Sequence, residues 1–524
     1  MNVPKFCRDN KESCSFDEAI TLTGYGKFQY EAAAICCLSI VIVGFQNDIS
    51  SYIFPSAKCE LNLTSFELGL LNVAFLGGGT ISCFLWGLLA DNKGRKKVII
   101  FTHFCNALVT IMSALNTHTT FLVVCRFING FLTGAPGSLT YAYLAEFQPP
   151  KYRFRSVCFL GLFFIGSWLL LPIIAYVILP LNINYSFKDI IKLSPWRFFL
   201  LLIALPEIVV TFWFTRLPES PKYHTGRGNP KEALKILHKM YFINTGNSPD
   251  CFPVKYIICE GDSHRRHNTI VSRGKMYRVL KEVGDHLKQL FQKPLLWRTF
   301  LISSIMFSNM FGLFGLGLWL PELFIKFERY QTLYPNTTAS IELLSNLPLD
   351  GENSSETSFD TSVIMSTVAT GTAALIFNAV SCLLSTRISS KTMTSALSLA
   401  AGVSAGAIYW LTSSTQNLVV ACIFQATMLT ANMCITSLIV ELFPSTVGGI
   451  AVCTVICAGR IGAAISNLVF AYLVDKRCEL PIFIVAAVEI VCGILCFFVP
   501  KPGDCLNDEK EEKNAEKFTR VSIW

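Results

Sequence analysis

Residues 87–97 read Gly-Leu-Leu-Ala-Asp-Asn-Lys-Gly-Arg-Lys-Lys, and this stretch decides the fold. It ends an apolar run with an acid, a glycine and an arginine in the order Asp91, Gly94 and Arg95. A glycine permits a tight turn between two helices, and the opposite charges of Asp91 and Arg95 can lock such a turn. The tendency of cytoplasmic loops to be basic would explain the two final lysines, but not the order of the other three residues. We therefore interpret the stretch as a cytoplasmic gate.

The composition on both sides of this gate is that of a membrane protein. The chain has 524 residues, of which 52% are hydrophobic and only 15% are charged. A helix needs about 20 mostly apolar residues to cross a bilayer. Twelve such runs can be read, at 32–54, 66–90, 98–115, 120–146, 156–179, 197–217, 298–325, 362–386, 392–412, 417–440, 447–474 and 480–499. We predict an all-α membrane protein with twelve transmembrane helices.

An internal repeat divides these runs into two groups of six. Glu146 at the end of the fourth run corresponds to Glu441 at the end of the tenth, and "LVV" occurs near the start of both runs. Two six-helix halves are typical of transporters whose substrate site lies between the halves at mid-membrane. We predict five parts along the chain. They are an amino-terminal cytoplasmic segment (1–31), a first six-helix half (32–217), a cytoplasmic linker with short helices (218–297), a second six-helix half (298–499) and a cytoplasmic tail (500–524).

Two unrelated features predict the same orientation in the membrane. Several of the loops and the central segment are basic, and residues 222–298 carry 15 Lys and Arg against six Asp and Glu, which places them in the cytoplasm. The Asn-X-Ser/Thr signals for glycosylation all fall in the opposite loops, at Asn62, Asn184, Asn336 and Asn353. We therefore expect both termini to be cytoplasmic and the protein to be a glycoprotein.

The gate stretch resembles the G-x-L-a-D-x-x-G-R-[RK]-[RK] loop of the major facilitator superfamily. Further motifs of that superfamily are Arg126-Phe127-Ile128-Asn129-Gly130 in the fourth run and Pro218-Glu219-Ser220-Pro221-Lys222 after the sixth. The resemblance implies the major facilitator fold, transport by alternating access, and a cytoplasmic gate formed by Asp91, Gly94, Arg95, Glu146, Arg153 and Glu441.

Within this superfamily the chain is similar to the synaptic vesicle glycoprotein 2 family and related vesicle proteins. The similarity rests on residues 24–29, on Phe54-Pro55-Ser56-Ala57 and on the "FLWGLLAD" stretch. Organic-cation transporters are the neighbouring alternative, but they carry a long loop after the first span that is short here. The loop at about 326–361 is also too short for the pentapeptide-repeat domain of the glycoprotein family.

The second half lacks most of the gate. Asp91, Gly94 and Arg95 correspond to Thr386, Ser389 and Ser390 at the offset of the repeat, and Arg153 corresponds to Gly448. Glu441 has therefore lost its matched basic partners. We expect the first half to hold most of the cytoplasmic lock.

Polar side chains inside the apolar runs are the candidates for substrate binding. A charge at the bilayer centre costs roughly 3 kcal/mol on insertion scales, so each one indicates either a function or a structural ion pair. Asp48 and Arg126 lie in the first half, and Arg460 in the second is the expected electrostatic counterpart of Asp48. We predict a cavity lined by Gln46, Asp48, Arg126, Asn432 and Arg460.

Two further acids occupy equivalent positions in the sixth and twelfth runs. Glu207 and Glu489 both stand in the sequence "EIV". These spans lie at the periphery of the superfamily fold, so a structural partner or a wet crevice is favoured over substrate binding. Proton coupling through Asp48, Glu207 or Glu489 stays open.

Enzymatic functions have no visible machinery. The chain has no Walker loop, no G-x-S-x-G elbow, no HExxH and no recurring CxxC, so neither a metal nor a cofactor is expected. Its basic residues fall in short loops, where membrane orientation explains them without nucleic acid. We predict a multi-pass transporter of a small organic solute in a vesicle or plasma membrane, either facilitative or ion-coupled. The alternative is a non-transporting vesicle-membrane glycoprotein that acts as a trafficking scaffold or receptor.

The linker contains two stretches with helical periodicity. Residues 229–241 begin with Asn229 as a potential cap and Pro230 at the first helical position, and residues 276–291 show a second apolar face. We expect the paired helices to brace the two halves without binding solute. Deletion of residues 255–272 is accordingly expected to leave folding and ligand binding intact.

Overall fold

The protein is described here by a computed structural model. It describes residues 13–61, 63–116, 118–181, 185–187, 191–258, 284, 287–293, 295–334, 361–384, 388–443, 448–473 and 479–500. The chain in these ranges is mostly helical, which confirms the all-α membrane fold.

Within the described ranges, twelve long α-helices and three short ones follow one another along the chain. In chain order they are α1 Phe16–Leu22, α2 Lys27–Leu61, α3 Ser65–Lys93, α4 Arg95–Leu115, α5 Thr119–Glu146, α6 Pro150–Ile178, α7 Pro195–Arg216, α8 Pro221–Gly226, α9 Pro230–Thr245, α10 Leu295–Leu333, α11 Thr361–Leu384, α12 Ser390–Ala407, α13 Ser414–Leu442, α14 Gly448–Leu473 and α15 Glu479–Leu495. Ten of the twelve long helices are long and apolar enough to cross a membrane. The other two are α11, whose apolar stretch is the shorter Met365–Ser381, and α12.

The helices form two compact units. The first comprises Met1–Ser50 and Ile81–Ser272, and the second comprises Ser51–Thr80 and Arg273–Trp524. These units differ from the predicted halves in Ser51–Thr80, the end of α2 and the start of α3, which packs in the second unit. The reason is local: the Asn72 side-chain amide donates to Asn467 Oδ1 of α14 at 3.2 Å. A Cβ on Gly69 would also overlap Ala471, so only a glycine permits this approach.

Large aromatic side chains fill the core of the first unit at one end of its helices. The rings of Tyr143 and Phe147 pack edge to face with centroids 4.9 Å apart, and Tyr143 packs against Phe214 of α7 at 5.8 Å. Phe28 of α2 joins them against Phe147. Each ring is buried, and these aromatic contacts help to hold α2, α5 and α7 together.

The linker helix α9 completes this end of the first unit. Asn229 and Pro230 occupy the positions predicted for them, although the Asn229 side chain makes no capping bond to the helix. Ala233, Leu237 and Met240 recur at helical spacing and are buried in the same hydrophobic core as Phe28. The second predicted helix, at 276–291, falls almost wholly outside the described residues, so its bracing role stays a prediction.

Short strands connect distant parts of the chain. β1 Ser13–Ser15 pairs in parallel with β4 Tyr256–Ile258, whereas β2 Tyr185–Phe187 and β3 Ile191–Leu193 form an antiparallel pair after α6. The β4 strand corrects the expectation that residues 255–272 can be deleted without effect on folding. The start of that segment is a strand paired with β1 and not a dispensable loop. Ile257 is buried, and each β4 residue aligns with one in β1. A deletion that spares the fold should therefore begin after Ile258.

Asn244 ties α9 to the turn between α1 and α2. Its amide donates to the carbonyls of Thr23 and Gly24 at 3.2 Å, while its Oδ1 accepts from the Phe28 backbone N–H at 3.1 Å. Replacing Asn244 with alanine leaves these backbone groups without their partner, and we expect a loss of about 1–3 kcal/mol. The midpoint of thermal unfolding in detergent measures this loss. Asn247→Ala, an exposed change three residues further on, is the matched control and should have almost no effect.

Candidate functional site

A buried polar cluster lies where four helices of the first unit meet. Helices α2, α4, α5 and α7 contribute side chains that are all at most 6% exposed. The buried polar cluster consists of Gln46, Asp48, Asn106, Thr110, Arg126, Asn129 and Glu207. Buried polar groups are costly unless they are paired, so a group of seven at mid-helix needs a structural or functional explanation.

Gln46 is the centre of the cluster. Its side-chain amide donates to Glu207 Oε1 and to Thr110 Oγ1, each at 3.1 Å. Arg126 donates to the Gln46 backbone carbonyl at 3.1 Å and approaches its side-chain oxygen at 3.4 Å. One glutamine thus uses both ends of its amide to connect an acid on α7 with a base on α5.

Glu207 belongs to the cluster, although the sequence favoured a separate structural or crevice role for it. Its Oε1 accepts a second bond from Asn106 at 2.6 Å, in addition to the bond from Gln46. Its Oε2 has no hydrogen-bond partner among the described residues. The sixth-span acid therefore contacts a predicted cavity residue directly.

Asp48 is the acid of the cluster with the fewest contacts. It is 5% exposed, and neither of its carboxylate oxygens has a hydrogen-bond partner in the described part of the chain. The charge that acts on it is that of Arg126. Removal of Asp48 and Arg126 from water is offset only in part by their mutual attraction.

Sequence reasoning missed the contribution of α4. Thr102, Asn106 and Thr110 recur every four residues on its buried side, and Thr110 also lies 3.5 Å from the Asn129 amide. Near them His103 Nε2 lies 2.8 Å from the Ser39 hydroxyl, which in turn meets Thr140. A polar stripe at this spacing within an apolar helix is visible in the sequence, and it could have identified Asn106 as a partner for the buried acids.

Several of the residues predicted to form the cytoplasmic gate lie around Glu146. Arg95 Nη1 lies 2.7 Å from Glu146 Oε1, and the Ser220 hydroxyl donates to Glu146 Oε2. Gly94 has φ +97°, and a Cβ there would overlap the Glu219 carboxylate. That carboxylate accepts from the Lys96 backbone N–H at 3.0 Å. The motif after α7 therefore adds Glu219 and Ser220 to the contacts of the predicted gate, to which the sequence interpretation had not assigned them.

A family profile described as the Major Facilitator Superfamily matches residues 36–346, more than half of the chain. The chain belongs to the major facilitator superfamily. Members of this family transport solutes, and the chain is a multi-pass membrane protein of the transporter fold.

Its relatives in the superfamily include vesicle proteins. Synaptic vesicle glycoprotein 2B of Rattus norvegicus is 25% identical over 331 residues, which cover 60% of this chain and 48% of that protein. The synaptic vesicle 2-related protein of Rattus norvegicus is 29% identical over 327 residues, covering 62% and 52%. The chain thus spans about half the length of the curated relatives it matches.

Solved structures with the same fold include the xylose transporter XylE from E. coli in a partially occluded inward open conformation. It has a TM-score of 0.63 and 16% identity, and the match covers 90% of this chain and 98% of that one. A crystal structure of a D-xylose-proton symporter has a TM-score of 0.61 at the same identity. At this identity the likeness shows the superfamily fold alone.

Of the other residues predicted for the gate, the structure describes the side-chain contacts of Arg153 but not those of Asp91 and Glu441. Arg153 reaches the amino-terminal helix, where its Nη2 lies 2.8 Å from Asp17 Oδ1. This contact widens the predicted gate to include α1. The side chains of Asp91 and Glu441 lie outside the described part, as do all four asparagines of the glycosylation signals, so these predictions stand untested.

The second unit of this superfamily member holds the other candidate residues. Arg460 and Asn432 are half-buried, and Asn432 Oδ1 has no hydrogen-bond partner among the described residues. Glu489 is completely buried beside Gly312 and Met428, and both of its oxygens lack a partner in the same ranges. The two repeat-related acids thus differ, since Glu207 accepts two bonds and Glu489 accepts none there. Opposition of Arg460 to Asp48 stays a prediction.

Proposed function

We propose that this chain carries a small polar organic solute across a membrane by alternating access. The observation that supports the proposal is a set of buried polar atoms of the first unit with no partner among the described residues. They belong to Asp48, Asn129, Thr133 and Trp168, and they include both acceptors and an indole N–H donor. Atoms of this kind suit a polar solute, which can satisfy them when it binds.

These atoms are grouped by the packing of α2, α5 and α6. Asn129 and Thr133 lie one turn apart on the buried side of α5, on the same face as Arg126. Helix α6 approaches α2 so closely at Gly44 that a Cβ there would overlap the Ser167 hydroxyl. Trp168 follows Ser167, and Asp48 lies one turn from Gly44, so both flank the same helix crossing.

Protonation of Asp48 would link transport to a proton gradient. The Gln46 amide donates to Glu207, and Arg126 donates to the Gln46 carbonyl. These bonds fix the position of Arg126, the base whose charge acts on Asp48. A carboxylate that gains or loses a proton in this place changes the net charge of a buried pair. In alternating access the surroundings of Asp48 and Arg126 differ between the inward-open and outward-open conformations. Each conformation will therefore favour one protonation state of Asp48.

Thermal stabilisation by a panel of solutes tests the proposal. Purified full-length protein is screened against neutral sugars, amino acids and carboxylates, and a solute at one hundred times its Kd stabilises the fold by about 2.7 kcal/mol. The solute that stabilises is then measured for uptake into liposomes with and without an inward proton gradient. We expect Asp48→Asn to abolish the gradient dependence of uptake. Glu31→Gln, which alters an exposed acid of the same helix, is the control and should retain it.

A solute that binds and stabilises without any flux would instead favour the receptor or scaffold function. The names of the vesicle relatives give that alternative its support. Complete absence of stabilisation by the whole panel, together with absence of flux, would contradict solute transport. We also propose that α9 and both termini are cytoplasmic, in a vesicle or plasma membrane, because the basic residues around Arg95 and Lys96 follow the positive-inside rule.

A further inference from the structure

The outer side of α9 carries two parallel stripes of opposite character. Lys231, Lys235 and Lys239 recur every four residues, and beside them Leu234, His238 and Phe242 recur at the same spacing. Together with Pro249, these six side chains line an open cavity of about 350 Å³. We call this cavity the linker groove.

The lysine stripe and Phe242 are not covered by the rest of the described chain, whereas Leu234 and His238 are half-buried and His238 packs against Phe252. All three lysines are exposed, and Phe242 is 49% exposed, although the opposite side of the same helix is buried in the core. A single exposed aromatic ring is common on protein surfaces, but this one stands beside three lysines in one open cavity. This is the arrangement expected where an amphiphilic ligand supplies the missing contact.

The positive charges of the groove are only partly neutralised within the protein. Glu232 pairs with Lys235 at 2.6 Å, but Lys231 and Lys239 form no ion pair within the described ranges. Lys239 also repels Lys96, whose ammonium donates to the Thr215 carbonyl at the end of α7. The basic stripe thus continues to the end of a membrane-spanning helix, where lipid headgroups lie.

We propose that the linker groove binds the headgroup of an anionic glycerophospholipid. The lysine stripe would receive the phosphate, and the glycerol and first methylenes of the lipid would cover Leu234 and Phe242. Charge complementarity favours an anion, and the exposed ring of Phe242 beside the half-buried Leu234 favours a lipid over a free phosphate. The inference uses the proposed cytoplasmic position of α9, because the anionic leaflet of cell membranes is on that side.

Lipid binding is tested on the full-length protein in nanodiscs of phosphatidylcholine, with or without phosphatidylserine. Native mass spectrometry counts retained phosphatidylserine and gives its dissociation constant. We expect the double variant Lys231→Gln, Lys239→Gln to bind about 30-fold more weakly, since each lysine near an anionic lipid surface contributes about a five-fold gain in affinity. The matched control is Lys222→Gln, Lys255→Gln, two exposed lysines outside the groove with the same change of charge. Equal losses in both double variants would overturn the proposal in favour of general attraction to a charged leaflet.

The apolar stripe distinguishes a lipid from a soluble phosphate. We expect Phe242→Ser to weaken phosphatidylserine binding, and glycerophosphoserine, the same headgroup without acyl chains, to compete poorly. A soluble headgroup that binds as tightly as the lipid, with Phe242→Ser neutral, would show a site for free phosphate and would refute the lipid. Both leaflets of a nanodisc carry the same lipids, so the result does not depend on orientation. Failure of the Asp48→Asn experiment would not alter the lipid-binding result. The transport proposal and the lipid proposal can therefore fail separately.

Discussion

Arg126→Leu is expected to destabilise the protein by roughly 3–5 kcal/mol and to abolish transport. Arg126 is the charge that faces Asp48, and it is also a donor to the Gln46 backbone carbonyl. Without it, an acid that is 5% exposed has no opposite charge, and the carbonyl loses its bond. The midpoint of thermal unfolding in detergent, measured beside liposome uptake, gives both effects.

A second substitution separates the lost electrostatic attraction of Arg126 for Asp48 from lost packing. Adding Asp48→Asn to Arg126→Leu removes the uncompensated charge, so we expect the double variant to recover most of the lost stability but no gradient-dependent uptake. Arg216→Leu changes an exposed arginine of α7 and should cost no more than about 0.5 kcal/mol. If the double variant were less stable than Arg126→Leu alone, the two side chains could not be acting as a pair.

Arg95→Glu should shift the protein towards a state open to the cytoplasm. The change replaces an ion pair of 2.7 Å with two acids in a place where Glu146 is 10% exposed. Arg95 itself is 23% exposed, which screens part of the repulsion, so we expect about 1–2 kcal/mol, or a five- to thirty-fold change in the ratio of the two states. The ratio of inside to outside labelling of a cysteine at position 432, in a background without other cysteines, measures the shift.

Lys391 supplies the comparison from the second unit. Its ammonium donates to the carbonyls of Phe497 and Val499, the latter at 2.5 Å, so it caps the short 3-10 turn that follows α15. Lys391→Glu should therefore lower stability with little change in the labelling ratio. The exchange Arg95→Glu with Glu146→Arg should return the ratio towards that of the wild type. Equal shifts from Arg95→Glu and Lys391→Glu would argue against a lock held mainly by the first half.

The membrane architecture could be predicted because it depends on local composition. Each of the twelve apolar runs coincides with a long helix, since a bilayer span requires about 20 apolar residues in sequence. The ends were predicted less well. Helix α2 begins at Lys27 rather than at 32, and α10 continues to Leu333 beyond the predicted end at 325, because a helix can extend past the apolar region.

The site was predictable only in part because its contacts join distant spans. Polarity within an apolar run identified Gln46, Asp48 and Arg126 one at a time. The bond between Gln46 and Glu207 depends on how α2 packs on α7, and nothing local to either helix contains that information. The same holds for Ser51–Thr80, whose place in the second unit is decided by contacts with α14.

The pairing of β1 with β4 constrains how the protein is made. Ser13 precedes all the predicted spans, yet its partner Tyr256 is synthesised only after the sixth of them. At typical rates of elongation the amino-terminal strand must wait roughly 10–50 seconds for that partner. Truncated chains released before β4 therefore lack the β1–β4 pair. A quality-control system could distinguish them from complete chains by the unpaired β1 strand. The strand pair of the first unit can therefore form only after residues 256–258 have emerged.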